Sequence, residues 1–423
     1  MSISHCVEFT SEQIVEDLIL FLQENGSNIE SLRLIGCPPS MITAFRLSDQ
    51  LVTSLNKQKL KSLEIDGSGH PFWFYGLTDL LENNFITHLS LYNFDEEITL
   101  NQVIKLVSGL SVNQSLKYLN LQRWGLSEIA LDILMLALTK HSTIKTLHLF
   151  NLSSLSERSV SYLIKHNQTV ESLAICSTPI GDHSLLPLND NTTITNLMVS
   201  GDGISLPGLE EALKNNQALK TLRLLEFTAI DIRSFAAALS EHPKLEQVYL
   251  QDSSHNGSDL AETAIQIIKR CRNLKFISLI DINFDGRSEK IAQLINQSNL
   301  TSLNFYPYKK DIGIKFLEDV IRHNTKLKQL SIDNFYPLTT PLSIDEEEWK
   351  SLTEAFRANK QLREIKFEYS RSDVPDRLKF LSSEEGLIYR RRNETLQQKI
   401  FRIIQEQSLE TSGIPKIILE QMD

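Results

Sequence analysis

Residues 144–170 read IKTLHLFNLSSLSERSVSYLIKHNQTV, and this stretch contains the unit from which most of the chain is built. Its first six residues follow the pattern L-x-x-L-x-L, in which Ile, Val or Phe also fill the apolar places. Leu147 and Leu149 alternate with His148, which is the period of a strand with one buried face. Three apolar residues then follow at helical spacing: Val160, Leu163 and Ile164. The stretch therefore predicts a strand, a polar bend and a helix, with the next strand beginning at Val170.

The same pattern occurs thirteen times along the chain. Its first residues are Ile29, Leu60, Ile86, Leu116, Ile144, Val170, Ile194, Leu219, Leu245, Leu274, Leu300, Leu327 and Leu362. Successive patterns begin 24 to 35 residues apart, and about 28 residues apart on average. Units of this length stack into a solenoid, because each one buries its apolar face only against its neighbours. We therefore expect an α/β horseshoe of about 13 repeats, with a parallel sheet on the concave side and helices on the convex side.

A second signal has the same period. Seven of the thirteen residues that stand three places before a pattern are asparagines: Asn83, Asn113, Asn167, Asn191, Asn216, Asn324 and Asn359. Asparagine tolerates the left-handed backbone conformation in which many helices end. We interpret these asparagines as residues that end each helix in that conformation. The helix ends and the apolar spacing then agree in register.

The two ends of the chain depart from the repeat. Residues 1–28 are predicted to form an N-terminal helical cap, residues 29–370 the solenoid, and residues 371–423 a C-terminal helical cap and tail. A helix over 391–407 is predicted in that last segment. In the N-terminal helix the buried stripe is expected to be Ile14, Leu18, Ile19 and Leu22.

Composition limits the classes of partner. The chain has 423 residues and a net charge of −10, which argues against nucleic acid or an anionic membrane as the main partner. No apolar run approaches the roughly 18 residues that span a bilayer, and the first residues lack the basic start of a signal peptide. The four cysteines are scattered, as expected for reduced thiols in a cytosolic setting.

No sequence motif for catalysis, for a metal or for a cofactor is present. The phosphate-binding, dinucleotide-binding, zinc-protease and serine-hydrolase patterns are all missing. Cys176 falls on a strand, but no His or acidic partner can be assigned to it, so a small filler is the favoured interpretation over a nucleophile. We therefore expect a protein that is not an enzyme, with no catalytic residue, no metal ligand and no cofactor.

One loop carries four adjacent aromatic residues: Phe72, Trp73, Phe74 and Tyr75. Four such neighbours cannot all face one core. Two interpretations stay open, a contact patch for a partner and a set of bulky fillers beside a shortened helix.

The period and the strand-plus-helix unit over residues 29–367 resemble the ribonuclease-inhibitor class of leucine-rich repeats. The chain departs from that class at the ninth position of the pattern, where the class usually has Asn or Cys. The first eight repeats have there Cys37, Ser68, Phe94, Trp124, Leu152, Thr178, Asp202 and Phe227. Less regular loops are therefore expected after the strands.

The resemblance implies which side chains face a partner, because positions three, five and seven project from the concave face and positions eight and nine lie on its rim. A first cluster of candidate contacts lies in repeats three to five: His88, Tyr92, Tyr118, Arg123, Trp124, His148 and Phe150. A second lies in repeats nine to twelve: Tyr249, Phe276, Tyr306, Tyr308 and Tyr336. Smaller residues separate them, which would suit a grip at two points. The alternative is that Trp124 and Phe150 only pack on neighbouring strands.

Irregular repeats, abundant Asn, Ile and Lys, few cysteines and a tail with Glu406, Glu410 and Glu420 resemble the leucine-rich-repeat effectors of intracellular bacteria such as Legionella. This implies a monomeric interaction scaffold that is secreted into a host cell without a Sec signal peptide and binds a host protein; otherwise the protein is cytoplasmic. Two alternatives stay open. One is a regulator of a small GTPase that acts through an arginine such as Arg123, and the other is an inhibitor of an intracellular enzyme.

Overall fold

The fold was obtained as a computed structural model. The structure describes residues 3–8, 12–24, 29–35, 50, 52–57, 59–67, 74–94, 98–200, 203–226, 235, 237–239, 242–251, 258–282, 287–307, 314–333, 351, 354–355, 358–359, 361–362, 364–368 and 416–418. The chain divides into two compact units, Met1–Phe227 and Thr228–Asp423, and each is described by itself.

In the first unit, strands alternate with helices along the chain. The elements are β1 (Ile3–Glu8), α1 (Glu12–Glu24), β2 (Ile29–Ile35), β3 (Ser62–Asp66), α2 (Phe74–Glu82), β4 (His88–Phe94), α3 (Leu100–Val112), β5 (Tyr118–Trp124), α4 (Glu128–Lys140), β6 (Thr146–Phe150), α5 (Glu157–His166), β7 (Ser172–Cys176), β8 (Asn196–Ser200), α6 (Leu206–Leu213) and β9 (Thr221–Leu225). From β1 to β9, each strand pairs in parallel with the next one in the chain.

The second unit is built in the same way. Its described elements are β10 (Gln247–Gln251), α7 (Ser258–Arg270), β11 (Phe276–Ile282), α8 (Ser288–Gln297), β12 (Ser302–Pro307), α9 (Ile314–His323), β13 (Gln329–Asp333), β14 (Glu364–Glu368) and β15 (Lys416–Ile418). Strands β10 to β15 again pair in parallel in chain order. The predicted α/β leucine-rich-repeat solenoid, with its parallel sheet and intervening helices, is therefore confirmed as the fold.

The apolar spacing identified the core correctly. In β5, Leu119 and Leu121 are 1% and 0% exposed, while the residues between them are half-buried. In α5, the three residues predicted to face inward are all buried: Val160, Leu163 and Ile164. Serine or threonine begins several helices, because a side-chain oxygen accepts the otherwise unpaired N–H three residues on. The described examples are Thr99, Ser127, Ser156 and Ser205.

The chain ends contain strands that the repeat pattern did not predict. Strand β1 pairs with β2, and His5 lies opposite Leu32, so a polar residue takes the place of the fourth-position leucine. Strand β15 pairs with β14 near the other end. The N-terminal helix is present, with Leu18, Ile19 and Leu22 buried. The predicted helix over 391–407 and the side chains of residues 72–75 lie outside the described residues.

One repeat is shorter than the others and has no α-helix. Only 24 residues separate the patterns that begin at Val170 and Ile194. Two short 3-10 turns, Asp182–Ser184 and Leu186–Asn189, occupy the place of the helix. Pro187 lies at the start of the second turn. A backbone N–H at this position has no partner within the turn, so proline, which lacks that N–H, costs no hydrogen bond. The tighter turns close this shorter connection between β7 and β8.

Six of the seven asparagines before a pattern form a hydrogen-bonded ladder between neighbouring repeats, whereas Asn83 is exposed and donates to the carbonyl of Asp79 in its own helix. Asn167 is 3% exposed, and its Nδ2 donates to the carbonyl of Leu138 in the preceding repeat over 2.9 Å. Its Oδ1 accepts from the backbone N–H groups of Thr169 and Val170, each over 2.8 Å. The same three bonds are made by Asn113, Asn191, Asn216, Asn324 and Asn359. Each asparagine thus joins the end of one helix to the start of the next strand.

The left-handed conformation predicted for these asparagines is wrong. Asn113 has φ −72° and ψ 128°, and Asn167 has φ −77° and ψ 129°, both in the extended region. The buried backbone groups at the turn between helix and strand explain the residue type instead. They need one donor and one acceptor on a short side chain, and the carboxamide of Asn supplies both.

Histidine takes the ladder position in two repeats. His141 is 7% exposed and His242 is 5% exposed. The Nδ1 of His141 accepts from the N–H of Thr143 over 3.3 Å, but among the described residues no hydrogen-bond partner faces its buried Nε2. Burial lowers the pKa of both rings, and the nearby charges of Lys117 and Lys244 lower them further. Both histidines are therefore held in the neutral form.

Because His141 and His242 are buried in the neutral form, we expect the chain to lose stability in mild acid. In the unfolded chain each histidine takes up a proton near pH 6.5, whereas the folded state resists it, so the unfolded state binds more protons below that pH. We expect the free energy of unfolding to fall as pH decreases from 7.5 to 5.5, by up to about 1.4 kcal/mol for each histidine. Urea unfolding at the two pH values measures this.

The matched variants are His141→Asn and His242→Asn, which restore the ladder residue and remove the titrating ring. They should be more stable than the parent chain at pH 5.5 and less dependent on pH. His166→Asn is the control, because this histidine is exposed. An unchanged pH dependence in the double variant would refute the assignment.

Candidate protein-binding face

Strand register places the odd positions of neighbouring repeats side by side. His88, Tyr118 and Thr146 are paired across β4, β5 and β6, and two further rows run parallel to this one. The second row contains Ser90, Asn120 and His148, and the third contains Tyr92, Gln122 and Phe150. Because successive side chains in a strand alternate between the two faces, these rows lie on the face opposite the buried leucines.

Four of the predicted residues, which come from all three register rows, are joined by successive ring contacts on this face. His88 stacks on Tyr118 with ring centroids 5.8 Å apart, and Tyr118 meets His148 edge-on at 5.1 Å. His148 also contacts Phe150, at 5.4 Å between centroids. The hydroxyl of Tyr118 and Nδ1 of His148 are hydrogen-bonded over 3.1 Å. His88, Tyr118, His148 and Phe150 are called the aromatic row below.

An ion pair and a tyrosine lie beside the aromatic row. Arg33 Nε is 3.1 Å from Glu64 Oε1, and the guanidinium lies 5.9 Å from the centre of the Tyr92 ring. The Tyr92 hydroxyl donates a short hydrogen bond to Glu64. Arg33 and Glu64 were not among the predicted contact residues, although both stand at the fifth position of adjacent patterns with opposite charges. That register alone predicts their pairing.

Burial favours the neutral forms of Tyr92, Tyr118 and His148 on this face. Burial raises the pKa of the Tyr118 hydroxyl, and burial followed by the bond to Glu64 raises the pKa of Tyr92. Burial lowers the pKa of His148, and the positive charge of Arg223 lowers it further. At neutral pH these three side chains therefore present aromatic surface and neutral hydrogen-bonding atoms to a ligand. Arg33 and Glu64 supply the charges at the edge.

Trp124 does not belong to the binding face, and its prediction as a contact residue is wrong. It is 2% exposed, and its indole Nε1 donates to the carbonyl of Leu91 on the preceding strand over 3.1 Å. It stands at the ninth position, where the class usually has an asparagine that bonds loop backbone. The indole N–H provides such a bond here, and the ring fills the space beneath the loop.

Arg123 is exposed at the rim, in a left-handed backbone conformation with φ 52°. The eighth position adopts this conformation in several repeats, at Asn93, Arg123, Asn151, Ser177 and Glu226. Left-handed residues therefore recur at or just beyond the end of the strand, where asparagine tolerates positive φ. Lys59 and Asn84, which precede a strand, also have positive φ. The ring contacts of the aromatic row do not include Arg123.

In the second unit, only part of the predicted cluster can be described. The rings of Tyr249 and Phe276 contact each other with centroids 4.8 Å apart on β10 and β11. Tyr306 is on β12 opposite Ile280 in the register. The side chain of Tyr306, and Tyr308 and Tyr336 entirely, lie outside the described residues. The second unit thus contributes one aromatic pair that stays a candidate contact.

The two described cysteines, Cys176 and Cys271, are free thiols buried in the core. Cys176 is 6% exposed, so its sulfur is withdrawn from substrates, as expected for a filler. Burial raises the pKa of Cys271 to about 12, which keeps that thiol protonated and unreactive. Within the described residues, no three His, Cys, Asp or Glu side chains are grouped so that they could hold a metal ion. No helix in the described part of the chain has both the length and the apolarity needed to cross a membrane.

No protein-family model matches the chain, and neither does any curated protein. Among solved structures, it is similar to the leucine-rich-repeat-containing protein LegL7 from Legionella pneumophila, with 14% identity and a TM-score of 0.44 over 72% of this chain and 90% of that one. It is also similar to a chain of the Rad7 and Elc1 complex of yeast, with 14% identity and a TM-score of 0.39 over 76% of this chain and 87% of that one.

A third similar structure is an internalin, inlF, from Listeria monocytogenes, with 13% identity and a TM-score of 0.34 over 75% of this chain and 78% of that one. With identities of 13–14% and TM-scores of 0.34–0.44, these similarities add nothing to what the repeats and the strand pairing establish. On that ground, the chain is a leucine-rich-repeat protein.

Proposed function

We propose that the chain is a protein-interaction scaffold whose first unit binds a partner protein through the aromatic row and the neighbouring Arg33, Glu64 and Tyr92. The observation that supports this most is the connected set of ring contacts from His88 to Phe150 on the solvent-facing side of the sheet. Tyrosine, phenylalanine and arginine are the residue types that contribute most to protein interfaces. The proposal assigns no catalytic role to any residue.

The row is suited to binding because its side chains are already ordered. Each ring contacts the next, and Tyr118 is further fixed by its bond to His148. Tyr92 is held by its bond to Glu64. Side chains that are immobile before binding lose little conformational entropy when a partner covers them. Such a surface favours a partner that offers aliphatic or aromatic side chains and a few hydrogen-bonding groups.

The finer proposal is that the chain acts as a monomeric bacterial effector, is secreted into a host cell, and binds a host protein. Its support is the resemblance in composition and repeat irregularity to effectors of intracellular bacteria, together with the acidic tail at Glu406, Glu410 and Glu420. Each unit of the solenoid forms its core between its own repeats, so a second copy is not needed for folding.

Capture of the partner tests the proposal. The full chain is immobilised, partners are captured from host-cell lysate, and the bound proteins are compared with those held by the Tyr92→Ala, Tyr118→Ala, Phe150→Ala triple variant. Trp124 is left intact because it belongs to the core. A matched triple variant on the helices, Ile104→Ala, Ile129→Ala and Tyr162→Ala, removes exposed apolar groups elsewhere. The partner should be lost only from the first variant.

A second candidate, regulation of a small GTPase, is favoured by one observation. Arg123 is exposed on the rim and keeps an arginine at a positive φ where Asn or Gly would be less strained. Arg123→Asn is the appropriate variant, because Ala would add backbone strain to the loss of charge. Single-turnover GTP hydrolysis with a panel of GTPases should be stimulated by the parent chain and not by the variant. No stimulation by the parent chain removes this candidate.

A further inference from the structure

One polar side chain enclosed by the aromatic row has a hydrogen-bonding atom without a partner. Asn120 lies on β5, two residues from Tyr118, and the strand register places it between Ser90 and His148. The side chain is half-buried, and its Oδ1 is buried with no hydrogen-bond partner among the described residues. Burial of a carbonyl oxygen without a donor costs free energy, so the free chain carries an unmet acceptor within its candidate binding face.

The Tyr118 hydroxyl explains why Asn120 is enclosed. This hydroxyl and Nδ1 of His148 are hydrogen-bonded over 3.1 Å. Burial raises the pKa of the hydroxyl, and the Ser90 side chain acts on it in the opposite direction, so the hydroxyl is close to Ser90 as well. Ser90 and His148 are the two register neighbours of Asn120. The outer end of the tyrosine ring therefore lies over the Asn120 side chain.

The charges along this part of the sheet disfavour a cationic donor. Glu64 and Arg223 stand at the same position of the pattern as Asn120, two strands before it and four strands after it. The carboxylate of Glu64 is paired with Arg33, and the positive charge of Arg223 reaches His148. An ammonium group buried beside Asn120 would find Glu64 already paired and would meet a like charge. The site therefore suits a neutral N–H group.

The carboxamide of Asn120 can turn toward a partner while the rings keep their contacts. The last torsion of an asparagine side chain is broad, so rotation about it is easy. Part of the side chain is exposed, and rotation brings Oδ1 toward that part. Peptide groups and the side chains of Asn and Gln are the common sources of neutral N–H donors in a protein.

We propose that Asn120 determines which partner the aromatic row accepts, by receiving a hydrogen bond from a neutral amide N–H of that partner. This contact presupposes the proposed function, because it belongs to the same face. The oxygen gains its protein donor only in the complex, so the hydrogen bond contributes to binding without stabilising the free chain. A partner that covers the oxygen without offering an N–H leaves it unmet and binds more weakly.

The stability of two variants tests whether the oxygen is unmet in the free chain. Asn120→Leu keeps the branched shape of the side chain, and Asn120→Ala truncates it, so the two bracket the volume of asparagine. At least one of them should have a urea midpoint equal to or above that of the parent chain. The physical reason is that the folded state no longer buries an acceptor without a donor.

Binding of small amides tests the proposed donor with the parent chain itself. In a chain labelled with ¹⁵N at asparagine, the carboxamide signals that are absent from Asn120→Leu belong to Asn120. N-methylacetamide carries the N–H of a peptide bond, propionamide carries that of a glutamine side chain, and N,N-dimethylacetamide has none. Because such small ligands bind weakly, each is added to about 0.5 M. The first two should shift the Asn120 signals, and the larger shift distinguishes a backbone source from a side-chain source.

Gln122→Leu and methylammonium are the controls. Gln122→Leu removes a half-buried amide two residues further along the same face of β5, and its Asn120 signals should respond as in the parent chain. Methylammonium offers a charged donor and should have no effect. The proposed contact is refuted if neither amide shifts the signals, or if N,N-dimethylacetamide or methylammonium shifts them as much as N-methylacetamide does.

The proposed contact is also refuted if both Asn120 variants lower the urea midpoint, since a water or a protein group then already donates to the oxygen in the free chain. None of these results removes the aromatic row as a binding face. The proposed function fails by a different result, which is equal capture of host proteins by the parent chain and by the Tyr92→Ala, Tyr118→Ala, Phe150→Ala variant.

Discussion

The Asn167→Ala variant is expected to be less stable than the parent chain by about 3 kcal/mol, although the substitution leaves the apolar core intact. The substitution removes three hydrogen bonds at once. It leaves the carbonyl of Leu138 and the N–H groups of Thr169 and Val170 without their side-chain partner. These groups are buried between two repeats, and each unmet one costs about 1 kcal/mol or more.

Two further variants separate hydrogen bonding from packing in this experiment. Gln168→Ala is the matched control, because Gln168 is the adjacent amide and is exposed; its effect should be within about 0.5 kcal/mol. Asn167→Asp keeps an oxygen that can accept from the N–H groups of Thr169 and Val170. It replaces the amide that donates to the Leu138 carbonyl with a buried carboxylate oxygen. Its folded-state pKa should be raised, so it should regain stability as pH falls and the carboxyl becomes a donor.

Urea unfolding followed by circular dichroism measures these differences. An Asn167→Ala variant as stable as the Gln168→Ala variant would show that the ladder does not join the repeats. It would also leave the six ladder asparagines without a physical explanation.

Binding of the purified partner should be most sensitive to Tyr118, which touches both His88 and His148. Tyr118→Ala is expected to raise the dissociation constant about 30-fold, which corresponds to a loss of about 2 kcal/mol in binding free energy. The ring is the centre of the aromatic row, and its removal also releases the two histidines that pack against it. Tyr118→Phe keeps the ring and loses only the bond to His148, so a loss of about 5-fold is expected.

Isothermal titration calorimetry with the partner distinguishes these outcomes. Tyr162→Ala on α5 serves as the matched control, since it removes an equally large tyrosine ring from the opposite side of the same unit. Equal weakening by Tyr118→Ala and Tyr162→Ala would mean that the effect is not located on the sheet face.

The fold was predictable from the sequence because the repeat is a local pattern. Apolar spacing identified the strands and the inward residues of α5, and the asparagines gave the register. The physical role of those asparagines was not predictable from residue type, because Asn suits both a left-handed turn and a buried carboxamide bridge. The choice depends on the backbone groups of the preceding repeat, which lie about 28 residues away in sequence. Left-handed residues recur instead at the eighth position, at the end of the strand, as at Asn93 and Arg123.

The binding face was predictable in part for the same reason. Alternation places Tyr118 and His148 on the solvent side of their strands, and the structure brings them together. Trp124 is the last residue of β5 and comes after the left-handed Arg123, which interrupts the alternation, so alternation did not predict the direction of its ring. Arg33 and Glu64 lie in repeats one and two, outside the aromatic clusters that guided the prediction, although their opposite charges at matching positions could have identified them.

Site-specific photo-crosslinking tests the central claim, that a partner protein covers the aromatic row, most directly. The photoreactive residue p-benzoylphenylalanine is placed at position 150, within the row, or at position 162, on the helices. Both chains are exposed to the same host lysate and irradiated. A specific adduct of one partner from position 150, absent from position 162 and lost when Tyr118→Ala is added, is the predicted result. Adducts of that partner only from position 162 would contradict the claim.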